Sequence, residues 1–564
     1  MPNTSGARAL LHLLAESGVP YLFGNPGTTE LPLMDALVGE SRLKYILGLH
    51  ETPVMAMADG FAMASGKLGV VNVHASCGLG NAMGMLYNAH REGTPLLLTA
   101  GQSDRRIRFE EPILWSDMVA AARPWTKWSA EIERVEDVPV AVRRAIQTAL
   151  TPPTGPVFLS LPMDVQSAEA DLDLTPLRPL DRRVRPPLEA LRRAAARLAS
   201  ARRPGIVAGS RVVEAGAVEA LVAVAEKLGA PVYTESATSH GRLPFPCDHP
   251  LYAQQLPLWA PGVRAALADF DVLLVVGLDL LRMYVFHDPP QAMPPQTALI
   301  HLDENPWQIG KNYPVEVGLI GDVQSGLVEL DEIIGQSQTD ADRTSARSRT
   351  AEYAAKHGEI RSALRRKVDD DRDHRPMTPL KLMDSLGRVL PPNVAVVEEA
   401  VTTTEHLFER LGHLKNTDGY FAHRGWALGW GIGCAVGVKL AWPDRPTLAL
   451  IGDGAAMYGI QGLWSAARYN VPVTYILCNN AQYRILKDGA RMLRLPAALQ
   501  EKYLGMDLDA PTIDFVALAQ SLGVEALRVT EPEELSDVVR QSLAGDRPRL
   551  IDVTIGRSRA SQFG

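Results

Sequence analysis

TLALIGDGAAMYGIQGLWSAARYNVPVTYILCNNAQY, residues 447–483, reads as an apolar strand, a Gly-Asp-Gly turn, a helix, a second apolar strand and an Asn-Asn pair. The run 447–451 is short and apolar, as a strand covered on both faces must be. Gly452 and Gly454 flank Asp453, so backbone can approach a ligand closely at the turn. A helix starting there would aim its free N–H groups at the same place, which suits a phosphate. The second strand, expected over 471–478, brings Asn480 to the same end of the sheet, where open α/β sheets bind ligands. Asp453 and Asn480, 27 positions apart (480 − 453), then offer hard oxygen ligands beside a phosphate, the usual way of holding Mg²⁺.

Outward from this segment the same rhythm recurs. The 564 residues suffice for three or four domains at roughly 150 residues each. Residues 1–180 alternate helices with short apolar runs around 21–23, 45–49, 70–74 and 95–101, and close through GPVFLSLPMDV. Residues 188–334 carry the runs GIVAGS, VLLVVG and ALIHLD. Residues 335–377 are polar and charged and read as a surface linker. Residues 378–564 hold VAVVEE, the Gly-rich HRGWALGWGIGCAVG, the opening segment and LIDVTI. Apolar strands alternating with helices predict three α/β domains, each a doubly wound parallel sheet, with a loose duplication of fold between them.

Composition narrows the functional classes. A net charge of −8 carries no nucleic-acid footprint. No apolar run approaches the ~18 residues of a membrane span, and the N-terminus lacks the basic start and apolar core of a signal peptide. Cys77, Cys247, Cys434 and Cys478 have no metal-ligand spacing and read as free thiols in a reducing compartment. A cytoplasmic enzyme is the expectation.

Glu51 is the second anchor. It opens a helix in LGLHETPVMAMADG, where a carboxylate is favoured by the dipole, and its apolar surroundings demand a partner. With Glu51 in the first block and the Asp453–Asn480 pair in the third, the chain resembles the thiamine diphosphate enzymes. GNPGTTELP (24–32), LHETPVMAMADGFA (49–62), VNVHASCGLGNAMG (71–84), TAGQ (99–102), GPVFLSLPMD (155–164) and ALGWGIGCAVGVKLA (427–441) resemble the benzoylformate decarboxylase branch. The resemblance spans nearly the whole chain in order.

That resemblance implies thiamine diphosphate and Mg²⁺ as cofactors, with Asp453, Asn480 and the Gln482 carbonyl as metal ligands. Glu51 would hydrogen-bond the aminopyrimidine ring from across a subunit boundary, so a homodimer or homotetramer is implied. His74 matches an active-site histidine, and Thr28 stands where the relatives have Ser. Gly27, Asn81, Thr402, Gly452, Gly454 and Tyr483 match cofactor-contacting positions, and Leu428 matches the apolar residue beneath the cofactor. Ala455 and Val401 replace residues that contact the diphosphate. A second active-site histidine has Tyr284 or His287 as its counterpart by position, and His423 is a further candidate to replace it.

The expected activity is non-oxidative decarboxylation of a benzoylformate-like aryl or bulky 2-oxo acid to an aldehyde and CO₂. A carboligase or lyase of the acetolactate synthase or aldehyde lyase kind uses the same motifs, and flavin in the middle domain would favour it. A non-catalytic cofactor-binding relative is the third reading, motivated by Ala455 and Val401.

Overall fold

In the computed structural model, residues 3–557 are described, except 179, 236–240, 284–285, 289–290 and 406. Three six-stranded sheets form, all parallel, and one antiparallel ribbon, Asn3–Ser5 with Glu169–Asp171, ties the start of the chain to the end of the first block. The first sheet runs Lys44–Leu47, Tyr21–Gly24, Gly69–Val73, Leu96–Gln102, Val157–Pro162, Ser129–Glu131. The third runs Tyr420–Phe421, Ala395–Glu399, Thr447–Gly452, Thr474–Asn479, Arg549–Thr554, Glu525–Val529. Numbered within each sheet, both follow the order 2-1-3-4-6-5, so the expected duplication holds between these two blocks. The middle sheet follows 3-2-1-4-5-6 instead, the order of dinucleotide-binding folds.

The strands are apolar on both faces because helices cover both. Gly69–Val73, Leu96–Gln102 and Val272–Val276 are buried at every position. The stretch 335–377, read as a linker, contains one 31-residue helix, Asp340–Asp370, that buries only Ala346, His357, Leu364 and Val368. The second strand of the opening segment starts at Thr474 rather than 471, after Pro472, which has no N–H to give to a ladder.

The first and third blocks share one apolar core, which runs from Phe23 and Phe158 through to Tyr475 and Leu550. Its axis is the contact of two helices, Glu51–Ser65 and Trp430–Ala441. Small residues let their backbones touch: a Cβ on Gly437 would lie 1.9 Å from the Met57 carbonyl oxygen. Trp430 donates its indole N–H to Asp59 at 2.6 Å, both buried. Gly437→Ala must push the helices apart and is expected to cost about 3 kcal/mol in urea denaturation. A loss below ~0.5 kcal/mol would mean that the contact yields freely.

Candidate active site

Both groups of candidate residues sit at the carboxyl ends of strands, one on each of the two matching sheets. On the first sheet, Gly69–Val73 delivers His74 and Lys44–Leu47 leads into Glu51. His74 ends its strand as the N-cap of the helix Ala75–Glu92. Its Nδ1 lies 2.9 Å from Glu30 Oε2 and 3.1 Å from Thr29 Oγ1. Glu30 is fully buried, and its carboxylate also accepts the N–H groups of Gly27 (2.9 Å) and Gly101 (2.7 Å). A carboxylate so fixed holds the proton on Nδ1 and leaves Nε2 free for chemistry. A Cβ on Gly27 would fall within 2.1 Å of the His74 ring, so glycine is required there.

Sequence reasoning missed Glu30, although it lies in the quoted GNPGTTELP. Attention fell on Thr28, whose side chain is exposed, whereas the neighbouring Thr29 hydroxyl reaches both His74 and Glu30. Its sequence context, an acidic residue after two hydroxyls, is that of an ordinary turn, and only the fold brings it to His74. Glu30→Gln leaves His74 without a charged acceptor at Nδ1, and a fall of about 10²-fold in kcat is expected, read by steady-state kinetics. An unchanged kcat would remove the pair from the chemistry.

Glu51 is the first residue of the helix Glu51–Ser65 and is buried. Its Oε2 accepts 3.0 Å from Asn81 Nδ2, and Gly78 leaves room beside Oε1. His50 caps the same helix by accepting the Thr52 N–H. The helix Ala75–Glu92 therefore carries His74 at its start and steadies Glu51 about two turns further on, through Asn81.

On the third sheet, Thr447–Gly452 and Thr474–Asn479 are neighbours, with Gly452 opposite Cys478. Asp453 and Asn480 thus emerge side by side, both buried. Asp453 Oδ1 accepts the Gly454 N–H at 2.8 Å, while Oδ2 is buried with no partner among the described residues. Burial pushes the Asp453 carboxyl up to about 6, opposed by the N–H groups of Gly454, Ala481, Asn480 and Gln482. Ala481 takes a positive φ of 51°, which turns the chain so that Gln482 N–H meets Asn480 Oδ1 at 3.0 Å.

These residues fit a hard cation. The donors are all oxygen, one carboxylate oxygen is buried and unpaired, and no group of three or more acidic, His or Cys side chains able to hold a metal ion gathers among the described residues. The cation must then find its remaining ligands on phosphate and water, as Mg²⁺ does. The expected helix after the turn is split into Asp453–Ala456 and Gly462–Arg468, so one long aligned dipole does not form there. Ala455 is buried in the shared core; Thr402 lies in the short helix Val401–Thr404, and Tyr483 ends the turn, its N–H on the Met506 carbonyl. Leu428 is partly buried against the same core.

His423, the further candidate for the second histidine, lies in the third block. Its ring is buried against Trp430 at 5.3 Å, Nδ1 accepts the Trp426 N–H at 2.9 Å, and burial pushes it down to about 4. Its Nε2 lies 3.8 Å from Glu399 Oε1, so one ring nitrogen fixes backbone and the other faces a buried carboxylate. His287 sits in the middle block, edge-on to Trp259 at 5.3 Å, and Tyr284 lies outside the described residues. Among the described residues, no hydrogen bond or ion pair joins the Glu51–His74 group to the Asp453–Asn480 group within one chain.

Comparison with known proteins places these features in context. Residues 4–113 match the thiamine pyrophosphate enzyme N-terminal TPP binding domain, residues 191–330 the central domain and residues 401–553 the C-terminal TPP binding domain. Thiamine pyrophosphate is thiamine diphosphate. A benzoylformate decarboxylase of Pseudomonas aeruginosa is 36% identical over 548 residues, covering 97% of this chain and 98% of that protein. A probable acetolactate synthase large subunit of Methanocaldococcus jannaschii is 29% identical, covering 98% and 92%. The solved structure of a Rhodococcus jostii thiamine diphosphate-dependent 4-hydroxybenzoylformate decarboxylase superposes with a TM-score of 0.86 at 30% identity, covering 98% of this chain and all of that one.

Proposed function

This chain belongs to the thiamine pyrophosphate enzyme family, and on that premise we propose that it is a thiamine diphosphate- and Mg²⁺-dependent decarboxylase of an aryl or bulky 2-oxo acid. The observation that carries this reading is the pairing of two proton-handling groups, Glu51 and the Glu30–His74 pair, at the carboxyl end of one sheet. When bound, thiamine diphosphate supplies the attacking carbon and the sink for the electrons released with CO₂. Asp453, Asn480 and the Gln482 carbonyl would hold the Mg²⁺, and Glu51 would hold the pyrimidine end. Glu51, buried and steadied by Asn81, keeps one carboxylate oxygen for a proton. His74, with Nδ1 committed to Glu30, offers Nε2 as the base or acid on the substrate side.

Two copies would complete the site. Within one chain the two groups are unconnected, and large apolar side chains stand exposed beside both: Leu49 near Glu51, Tyr458 near Asp453, and Ile485 and Leu486 after the metal turn. Exposed apolar residues so grouped mark an association surface.

One observation bears on the synthase-like alternative. Parallel sheets of the middle block's order bind dinucleotides at the strand ends where the order reverses, here between Pro204–Ala208 and Val272–Val276. At that point the Arg211 guanidinium is pinned by Asp279 (2.9 Å) and Asp303 (2.8 Å), and Arg91 and Arg282 also reach Asp279 (3.7 and 3.4 Å), so Arg211 is committed to carboxylates rather than free to take a pyrophosphate. This favours the decarboxylase over a flavin-carrying synthase.

The test uses purified protein with thiamine diphosphate and Mg²⁺, supplied separately with benzoylformate, pyruvate and benzoin. Equal amounts of CO₂ and benzaldehyde from benzoylformate are expected. Carbon–carbon bond formation from pyruvate without free aldehyde would establish the carboligase instead. Calorimetric cofactor binding without turnover of any of the three would establish the non-catalytic cofactor-binding relative, and absence of binding would support a regulatory role without the cofactor.

A further inference from the structure

Trp426 has a φ of 64°, a region that bulky L-residues rarely enter. Its side chain is also left 37% exposed, whereas Trp430, four residues on, is wholly buried. The conformation is held from several sides. The Trp426 N–H donates to His423 Nδ1 at 2.9 Å. Asn88 clamps Ala427 with both ends of its amide, accepting its N–H at 3.0 Å and donating to its carbonyl at 2.8 Å. Arg424 is paired with Glu92 at 2.9 Å. The Glu399 carboxylate accepts the N–H groups of Gly429, Trp430 and Gly431 at 2.9, 3.0 and 2.8 Å. His423, Asn88, Glu92 and Glu399 are all buried. A strained residue persists only where its surroundings over-determine it, and such residues gather at functional sites.

The stretch 425–429 also touches both the first and the third block. At one end it lies on the helix Ala75–Glu92: a Cβ on Gly84 would sit 3.6 Å from Ala427, one turn beyond the Asn81 that holds Glu51. At the other, a Cβ on Gly429 would come within 2.8 Å of Tyr458, just past the Gly-Asp-Gly turn. The strained backbone thus presents an indole on the stretch that packs against the end of the Gly-Asp-Gly turn, two positions before Leu428.

We propose that Trp426 is a specificity-determining residue, an aromatic wall against which the aryl or bulky side chain of the 2-oxo acid packs. The proposal rests on the decarboxylase reading. An indole face or edge prefers an aromatic ring to a methyl group beyond the difference in area.

The test measures kcat/KM for benzoylformate and for pyruvate, thermal midpoint and mass by light scattering, on the cofactor-loaded wild type and on Trp426→Gly and Trp426→Phe. In W426G the benzoylformate-to-pyruvate ratio of kcat/KM is expected to fall by about tenfold or more. Its thermal midpoint holds or rises, because glycine takes a positive φ without strain. W426F keeps most of the preference. An unchanged ratio in W426G overturns the proposal. So does an equal loss on both substrates with a lowered midpoint, which would make Trp426 a packing residue, or dissociation of the W426G oligomer, which would make it an interface residue. A wild type that turns over no 2-oxo acid brings down the decarboxylase reading and this proposal together; one that turns them over while the ratio stays fixed brings down this proposal alone.

Discussion

Replacing Glu51 by Gln is expected to lower kcat on benzoylformate by about 10³-fold while thiamine diphosphate affinity stays within about threefold. The structure makes this a clean substitution. Gln is nearly isosteric, and its amide oxygen can accept the same Asn81 N–H at the position Oε2 now holds. The buried pocket beside Gly78 does not change in volume. The one structural loss is a negative charge in the first turn of the helix Glu51–Ser65, worth about 0.3–1 kcal/mol. What disappears is a carboxylate oxygen able to exchange a proton with the cofactor's pyrimidine end. Steady-state kinetics and calorimetric titration of the cofactor separate the two effects. A variant that binds the cofactor normally and turns over normally would remove Glu51 from the chemistry and, with it, the reading built on it.

Much of this site was legible in the sequence because its parts are local. Asp453 and Asn480 each follow an apolar strand by one residue, so a correct strand places them. Glu51 and His74 likewise sit at junctions that apolar periodicity marks well. What stayed hidden depends on contacts distant in sequence. Glu30 reaches His74 across 44 positions, and no local pattern distinguishes it from an ordinary turn carboxylate. His423 reads as a candidate acid or base, but its burial against Trp430 and its approach to Glu399 are not visible in the local sequence. The helix Asp340–Asp370 reads as a linker because four buried positions in 31 residues leave almost no apolar stripe. The Arg211–Asp279–Asp303 group joins three strand ends of the middle sheet, and only the strand order shows that these ends converge.

Asp453→Asn should move apo stability and cofactor binding in opposite directions. The Asp453 carboxyl is buried, with one oxygen unpaired among the described residues, and is pushed up from 3.8 to about 6. Its native form therefore holds a proton more tightly than the unfolded chain does. Stability from this group is present below about pH 4 and is lost as pH rises through about 6, where the carboxylate must be buried charged. The whole effect is about 3 kcal/mol at neutral pH in the metal-free protein. Asn carries no charge to bury, so apo D453N should exceed the wild type in urea denaturation at pH 7 and match it near pH 4. Other buried carboxyls, Glu92, Glu235 and Glu399 among them, are also pushed up, to about 7, 8 and 7, so only the difference between variant and wild type isolates Asp453. With Mg²⁺ and thiamine diphosphate at a hundred times the wild-type dissociation constant, the wild type gains about 2.7 kcal/mol and the variant almost none. A variant that is less stable at pH 7 without metal, or equally stabilised by the cofactors, would show that Asp453 holds no cation. The two lesions can also be combined. In a two-fold dimer whose sites take Glu51 from one chain and Asp453 from the other, mixed E51Q and D453N chains leave one intact site in each heterodimer, about a quarter of wild-type activity. If each chain instead builds its own site, the mixture stays inactive.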